Sequence, residues 1–131
     1  MAAETRRLRG ISILNWALWV IQVYLAYRFL IAGWAKLSGA PMMVGLFQAI
    51  GAGQWFRYLT GTLEVTGAIL LLVPALCGVG ALVLAAVMLG AVTTHLFIIG
   101  GSPAAAVTLL VLSAVVAVGR WDRTARLWNR R

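Results

Sequence analysis

Tyr58-Leu59-Thr60-Gly61-Thr62-Leu63-Glu64-Val65-Thr66-Gly67-Ala68-Ile69-Leu70-Leu71-Leu72-Val73 is sixteen residues of apolar helix with one charge inside it. An isolated carboxylate in hydrocarbon costs roughly 2.5–3.5 kcal/mol on insertion scales. Glu64 is therefore expected to meet a partner, to be protonated, or to be used. Pro74 stops the run, since proline lacks the amide that the next helical turn needs.

Working outward, three more apolar runs flank this one. The chain has 131 residues, 63% of them hydrophobic, and its mean hydropathy is +0.95. Soluble domains are nearer 45–50% apolar. Runs of this length without period-two alternation point to helices, which satisfy their own backbone in lipid. The fold expected is all-α: an integral membrane four-helix bundle in one domain, crossing the bilayer several times. Its spans are expected at about 13–36, 54–73, 76–99 and 104–118.

Between the first two spans, residues 38–53 read as an amphipathic segment. Pro41 opens it, Met42, Met43, Leu46, Phe47 and Ile50 share one side, and Gly51 and Gly53 close it. A short interfacial helix that lids the bundle fits this pattern, as does a plain connector. The third run is rich in small residues (Gly78, Gly80, Ala81, Ala85, Ala86, Gly90, Ala91), which let helices approach closely. Asn15 and Gln22 lie on one face of the first span and are expected to hydrogen-bond a neighbouring helix.

The net charge of +8 and a pI near 11.4 do not mark a nucleic-acid binder here. Eight of the eleven basic residues sit in the first ten residues and the tail from 120 onward, beside apolar runs. By the positive-inside rule both termini are then cytoplasmic, and four spans satisfy this. The tail repeats Trp121, Ala125 and Trp128 at helical spacing among arginines. It reads as a surface helix whose Arg120, Arg123, Arg126 and Arg130 bind anionic lipid headgroups, with partner docking as the alternative. Cys77 is the only cysteine, so a disulfide or CxxC redox pair within the chain is excluded. One His, one Cys and three acids, scattered along the chain, leave no metal site expected.

Depth along the helices selects the candidates to meet Glu64. At about 1.5 Å per residue, Glu64 lies roughly 10 Å below Arg57, Arg28 roughly 12 Å below Lys36, and His95 roughly 7 Å below Gly100. Three ionisable groups on three helices thus reach one level. The reading is an Arg28–Glu64 ion pair with His95 beside it, Tyr24 a turn below Arg28, and Lys36 nearer the mouth. Such a cluster is either a polar lock between helices or a ligand pocket. As a pocket it suits a quinone headgroup, which arrives from lipid, accepts hydrogen bonds at its carbonyls and takes up protons on reduction.

Arg28-x4-Gly33-x2-Lys36-Leu37, then Gly61-x2-Glu64 with Gly67-Ala68-Ile69-Leu70-Leu71-Leu72 and Pro74, then Ala91-x3-His95 together resemble the DoxX / DoxX-like family of small four-helix membrane proteins. The resemblance covers about residues 24–100. It implies a bundle in the cytoplasmic membrane and an association with oxidoreductase systems, among them a thiosulfate:quinone oxidoreductase subunit and a redox-stress complex. It matches the family's polar positions to Arg28, Lys36, Glu64 and His95. An animal relative assists receptor assembly, which implies a scaffold role instead. On this reading the chain is a quinone-associated subunit of a membrane oxidoreductase system, with no covalent or metal cofactor. Its partners are the bilayer, a companion oxidoreductase subunit and other copies of itself. A non-enzymatic scaffold or assembly chaperone is the alternative, and a small-molecule or proton transporter the third reading.

Overall fold

The computed structural model describes residues 1–129, and every regular element among them is helical. In chain order these are α1 (Ala2–Leu37), α2 (Pro41–Ile50), α3 (Gln54–Leu72), α4 (Cys77–Thr94), α5 (Ala104–Gly119) and α6 (Trp121–Trp128). A single π-helical turn, His95–Ile99, continues α4. The long helices pack in sequence, α1 on α3, α3 on α4 and α4 on α5, and α5 returns to α1. At one end, here the lid end, α2 lies against α1, α3 and the π turn; both chain ends leave from the other, the terminal end.

Two helical segments are long and apolar enough to cross a membrane, namely α1 and α4 with its π turn. Helices α5 and α6 together make a third candidate, bent by 59° at Arg120. The expected second span, α3, is 19 residues long, and Arg57 and Glu64 lower its hydropathy. Against the expected spans, the helices run from Ala2 to Leu37, Gln54 to Leu72, Cys77 to Thr94 with the π turn to Ile99, and Ala104 to Gly119. Nothing between Ala2 and Leu37 breaks a helix: that stretch has no proline, and its one early glycine, Gly10, is tolerated.

Glycine contacts set the register between helices. A Cβ on Gly33 of α1 would stand 2.9 Å from the Gly61 carbonyl oxygen of α3, and a Cβ on Gly61 would stand 3.0 Å from the Gly33 carbonyl oxygen. The two backbones touch there, as small-residue contacts between membrane helices allow. Gly80 of α4 meets α3 in the same way, 2.8 Å from the Gly67 carbonyl oxygen. Around these contacts the core is apolar: Leu25, Ala26 and Phe29 from α1, Ala68 and Leu71 from α3, Ala81 and Leu84 from α4, Val116 and Ala117 from α5.

Candidate functional site

The buried face of α3 reads Arg57, Gly61, Glu64, Ala68, Leu71, a four-three-four-three stripe that faces α1 and α4. On α1 the matching stripe is Gln22, Leu25, Phe29, Gly33, with Lys36 continuing it. Gly61 touching Gly33 places Lys36 Cβ beside Gly61, one turn above Glu64. Each Cα–Cβ bond leans toward the N-terminus of its own helix. In this antiparallel pair Lys36 therefore leans toward Glu64 and Glu64 toward Lys36. The lysine Nζ lies 3.1 Å from both carboxylate oxygens. Glu64 is almost completely buried, and the Lys36 side chain is 13% exposed.

The expected Arg28–Glu64 pair is not formed. Arg28 is exposed on the outside of α1, where its Nη1 donates to the Tyr24 hydroxyl at 3.0 Å and its guanidinium lies 5.9 Å from that ring. The cause is rotation. At 100° per residue, position 28 sits about 100° from the middle of the α1 core stripe, so matched depth cannot bring it inward. Tyr24 is exposed with it.

Arg57, taken from the sequence only as a depth marker, is 5% exposed and supports the pair from above. Its Nη1 donates to the Lys36 carbonyl oxygen, its Nε to Gln54 Oε1 at 2.7 Å, and its guanidinium lies 4.3 Å from the Tyr58 ring. A cation at the last carbonyls of α1 opposes that end of the helix dipole. The signal that locates Arg57 is its place seven residues before Glu64, on the same stripe.

Lys36, Glu64 and His95 all line one cavity of about 620 Å³. Leu46, Phe47 and Ile50 of α2 lie over it, Phe56, Leu59, Thr60 and Leu63 of α3 form one wall, and Val87, Ala91 and Thr94 of α4 another. Phe47 and Phe56 stand with ring centroids 5.7 Å apart, and Gln54 Nε2 donates to the Val44 carbonyl at 3.1 Å, which ties α2 to the start of α3. Met42 points away from this stripe and is exposed. At the start of the π turn, the His95 Nδ1 is 3.1 Å from the Gly100 carbonyl oxygen. A carbonyl only accepts, so Nδ1 carries the proton, and in the neutral ring Nε2 keeps the lone pair. The cavity therefore has apolar walls with an ammonium, a carboxylate and an imidazole set into them.

A second polar cluster lies at the terminal end. Arg120, expected to face lipid, is instead 4% exposed. Its Nε donates to Gln22 Oε1 at 2.7 Å, its Nη1 to Asn15 Oδ1 at 2.8 Å and its Nη2 to the Asn15 carbonyl at 3.3 Å; Gln22 Nε2 donates onward to the Leu71 carbonyl at 2.8 Å. Asn15 and Gln22 thus receive Arg120 and α3 as their neighbours. The bend at Arg120 turns the arginine inward, because the backbone leaves the α5 axis there. Arg123 donates to the Pro74 carbonyl at 2.8 Å, and Arg126 is exposed beside Asp122 at 3.4 Å. Arg130 lies outside the described residues. Among the described residues no three of His, Cys, Asp and Glu come together as a metal site.

These apolar helices, closed around buried ion-pair and arginine clusters, define a small helical membrane protein. The chain belongs to the DoxX-like family, whose model matches residues 20–118. No curated protein and no solved structure matches it. The matched stretch holds Lys36, Arg57, Glu64 and His95 and ends before Arg120.

Proposed function

We propose that the lid-end cavity takes the headgroup of an isoprenoid quinone, and that the chain serves as an auxiliary quinone-associated subunit of a membrane oxidoreductase system. In this reading α1, α3, α4 and α5 all cross the cytoplasmic membrane as a four-helix bundle, with both termini cytoplasmic, in line with the eight basic residues at the two chain ends. The observation that carries the proposal is the placing of Lys36, Glu64 and His95 in the wall of one mostly apolar cavity. A sealed lock has no need of a cavity beside it.

The residues fit such a ligand chemically. The Lys36 ammonium has three N–H groups. Two directions are taken by the Glu64 oxygens, and the third is free to donate to a quinone carbonyl. Glu64 holds a proton site one hydrogen bond from that ammonium, and His95 offers Nε2 as a second. Phe47 and Phe56 supply apolar faces for a flat ring. The electrons for any reduction come from a companion subunit, since the chain's own residues carry and place protons only. Titration of the full-length protein in mild detergent with a short-chain isoprenoid quinone tests this by tryptophan quenching. Lys36→Met is expected to weaken binding roughly tenfold, the loss of one charge-assisted hydrogen bond. Equal binding by wild type and Lys36→Met would remove the proposed role of Lys36.

A scaffold role is the second reading, and one observation favours it. The first half of α1 leaves Ile13, Trp16, Val20 and Val23 exposed on one side, an apolar face long enough to hold a partner helix. Cross-linking from that face tests it: capture of one defined partner supports the scaffold, and capture of lipid alone contradicts it.

A further inference from the structure

A second cavity lies at the terminal end, far from the lid. It is a crevice of about 840 Å³ between the first half of α1 and α5, open to the outside. Its walls are apolar, with Leu14 and Leu18 on α1 and Val111 and Val115 on α5. It closes on Arg120 and Arg123 where the chain bends into α6.

Arg120 is the unusual group in this crevice. It is buried, and each of its described hydrogen bonds goes to a neutral partner on Gln22 or Asn15. Among the described residues no carboxylate lies within ion-pair distance of it. A guanidinium has five N–H groups; three are used here, which leaves two. The Arg123 Nη1 is held by the Pro74 carbonyl, and its remaining donors stand beside the crevice. Asp122 also lines the crevice, but its Oδ2 is taken by Arg126 at 3.4 Å. The crevice lining thus carries two arginines, Arg120 and Arg123, against one acid, a net charge of +1. Buried charges call for an opposite charge; the one acid in the lining, Asp122, makes no ion pair with Arg120, whose guanidinium lies 5.5 Å from the Trp19 ring. On α1 the helix continues past Asn15 to Arg9, roughly 9 Å further out, at the level where headgroups would lie.

We propose that this crevice binds an anionic phospholipid. The phosphate seats on the unused donors of Arg120 and Arg123, and one acyl chain lies along Leu14, Leu18, Val111 and Val115. Guanidinium groups match phosphate oxygens in geometry and charge. The site is independent of the lid-end cavity, and both its arginines lie beyond the stretch matched by the family model.

Native mass spectrometry of the full chain, released from mild detergent, tests the assignment. The protein is offered phosphatidylglycerol and phosphatidylcholine with identical acyl chains at equal concentration, and in a separate arm inorganic phosphate with phosphatidylglycerol. One phosphatidylglycerol per chain is expected, with phosphatidylcholine bound at least tenfold less, about the weight of one charge-assisted contact. Arg123→Gln and Ala114→Trp, which removes one cation and fills the crevice respectively, are each expected to lower the adduct roughly tenfold while circular dichroism stays as in wild type. Arg120 itself is left intact, because its loss would unmake three hydrogen bonds. Equal binding of the two lipids, or a retained adduct in either variant, overturns the proposal. Displacement of the lipid by inorganic phosphate would assign the site to a phosphate group instead. A chain dimer abolished by Ala114→Trp would assign it to a second copy.

Discussion

Lys36 holds Glu64 because two antiparallel helices tilt their side chains toward each other across the Gly33–Gly61 contact. A buried ion pair adds little net stability, but removing one partner strands a charge at about 3–5 kcal/mol. Lys36→Met and Glu64→Gln are each expected to destabilise the protein in detergent unfolding, and the double variant to be less destabilised than the sum by about 0.5–3 kcal/mol. Arg28→Leu combined with Glu64→Gln should instead be additive within about 0.5 kcal/mol; coupling there would restore the pairing expected from depth. At this scale the sequence located Glu64 and His95 as groups of interest, because a titratable residue in an apolar run stands out. It did not locate the partner. Depth is legible from residue count, but rotation is legible only from the core stripe, and Arg28 lies off the Gln22–Leu25–Phe29–Gly33 stripe while Lys36 lies on it. Arg120 was legible as a headgroup-binding member of a basic tail but not as a buried one, because only the bend before α6 turns it inward.

At the scale of elements, the helix boundaries were readable because prolines and glycines punctuate them: Pro41 opens α2, Gly51 ends it with φ of 83°, Gly53 precedes α3 with φ of 110°, and Pro74 closes α3. The helix α1 starts well before the expected span, since a charged stretch with no breaker extends a helix as readily as it ends a span. The packing of α1 on α3 rests on two glycine backbones in contact. Gly61→Leu is expected to force them apart, cost about 1–3 kcal/mol and uncouple Lys36 from Glu64. Thermal unfolding of that variant with and without Lys36→Met reads both effects. Helix α2 covers the cavity through Leu46, Phe47 and Ile50. Phe47→Ala should leave helix content unchanged and speed ligand release, measured as a faster off-rate for a short-chain quinone. An unchanged off-rate would make α2 a connector.

Across the whole molecule, the buried charges gather at two ends of an apolar body. Lys36 and Asn15, one from each cluster, are 21 residues apart on α1, or roughly 32 Å along the axis. That is close to the roughly 30 Å of a bilayer's hydrocarbon core. The core between the two clusters, Leu25, Ala26 and Phe29 with Ala68 and Leu71, is apolar. Gln22 joins α1 to α3 and α5 at the terminal end by two hydrogen bonds. Gln22→Leu is expected to cost about 1–3 kcal/mol in detergent unfolding, because it strands the buried Arg120 and Leu71 groups. The central claim is that the lid-end cavity holds a quinone headgroup on Lys36, Glu64 and His95. It is tested most directly by extracting lipids from the protein purified in mild detergent from its native membrane and counting isoprenoid quinone per chain. The account predicts about one quinone per chain in wild type, the occupancy of a single buried pocket, and a marked loss in Glu64→Gln at unchanged helix content. No quinone in wild type, or the same amount in Glu64→Gln, would contradict it.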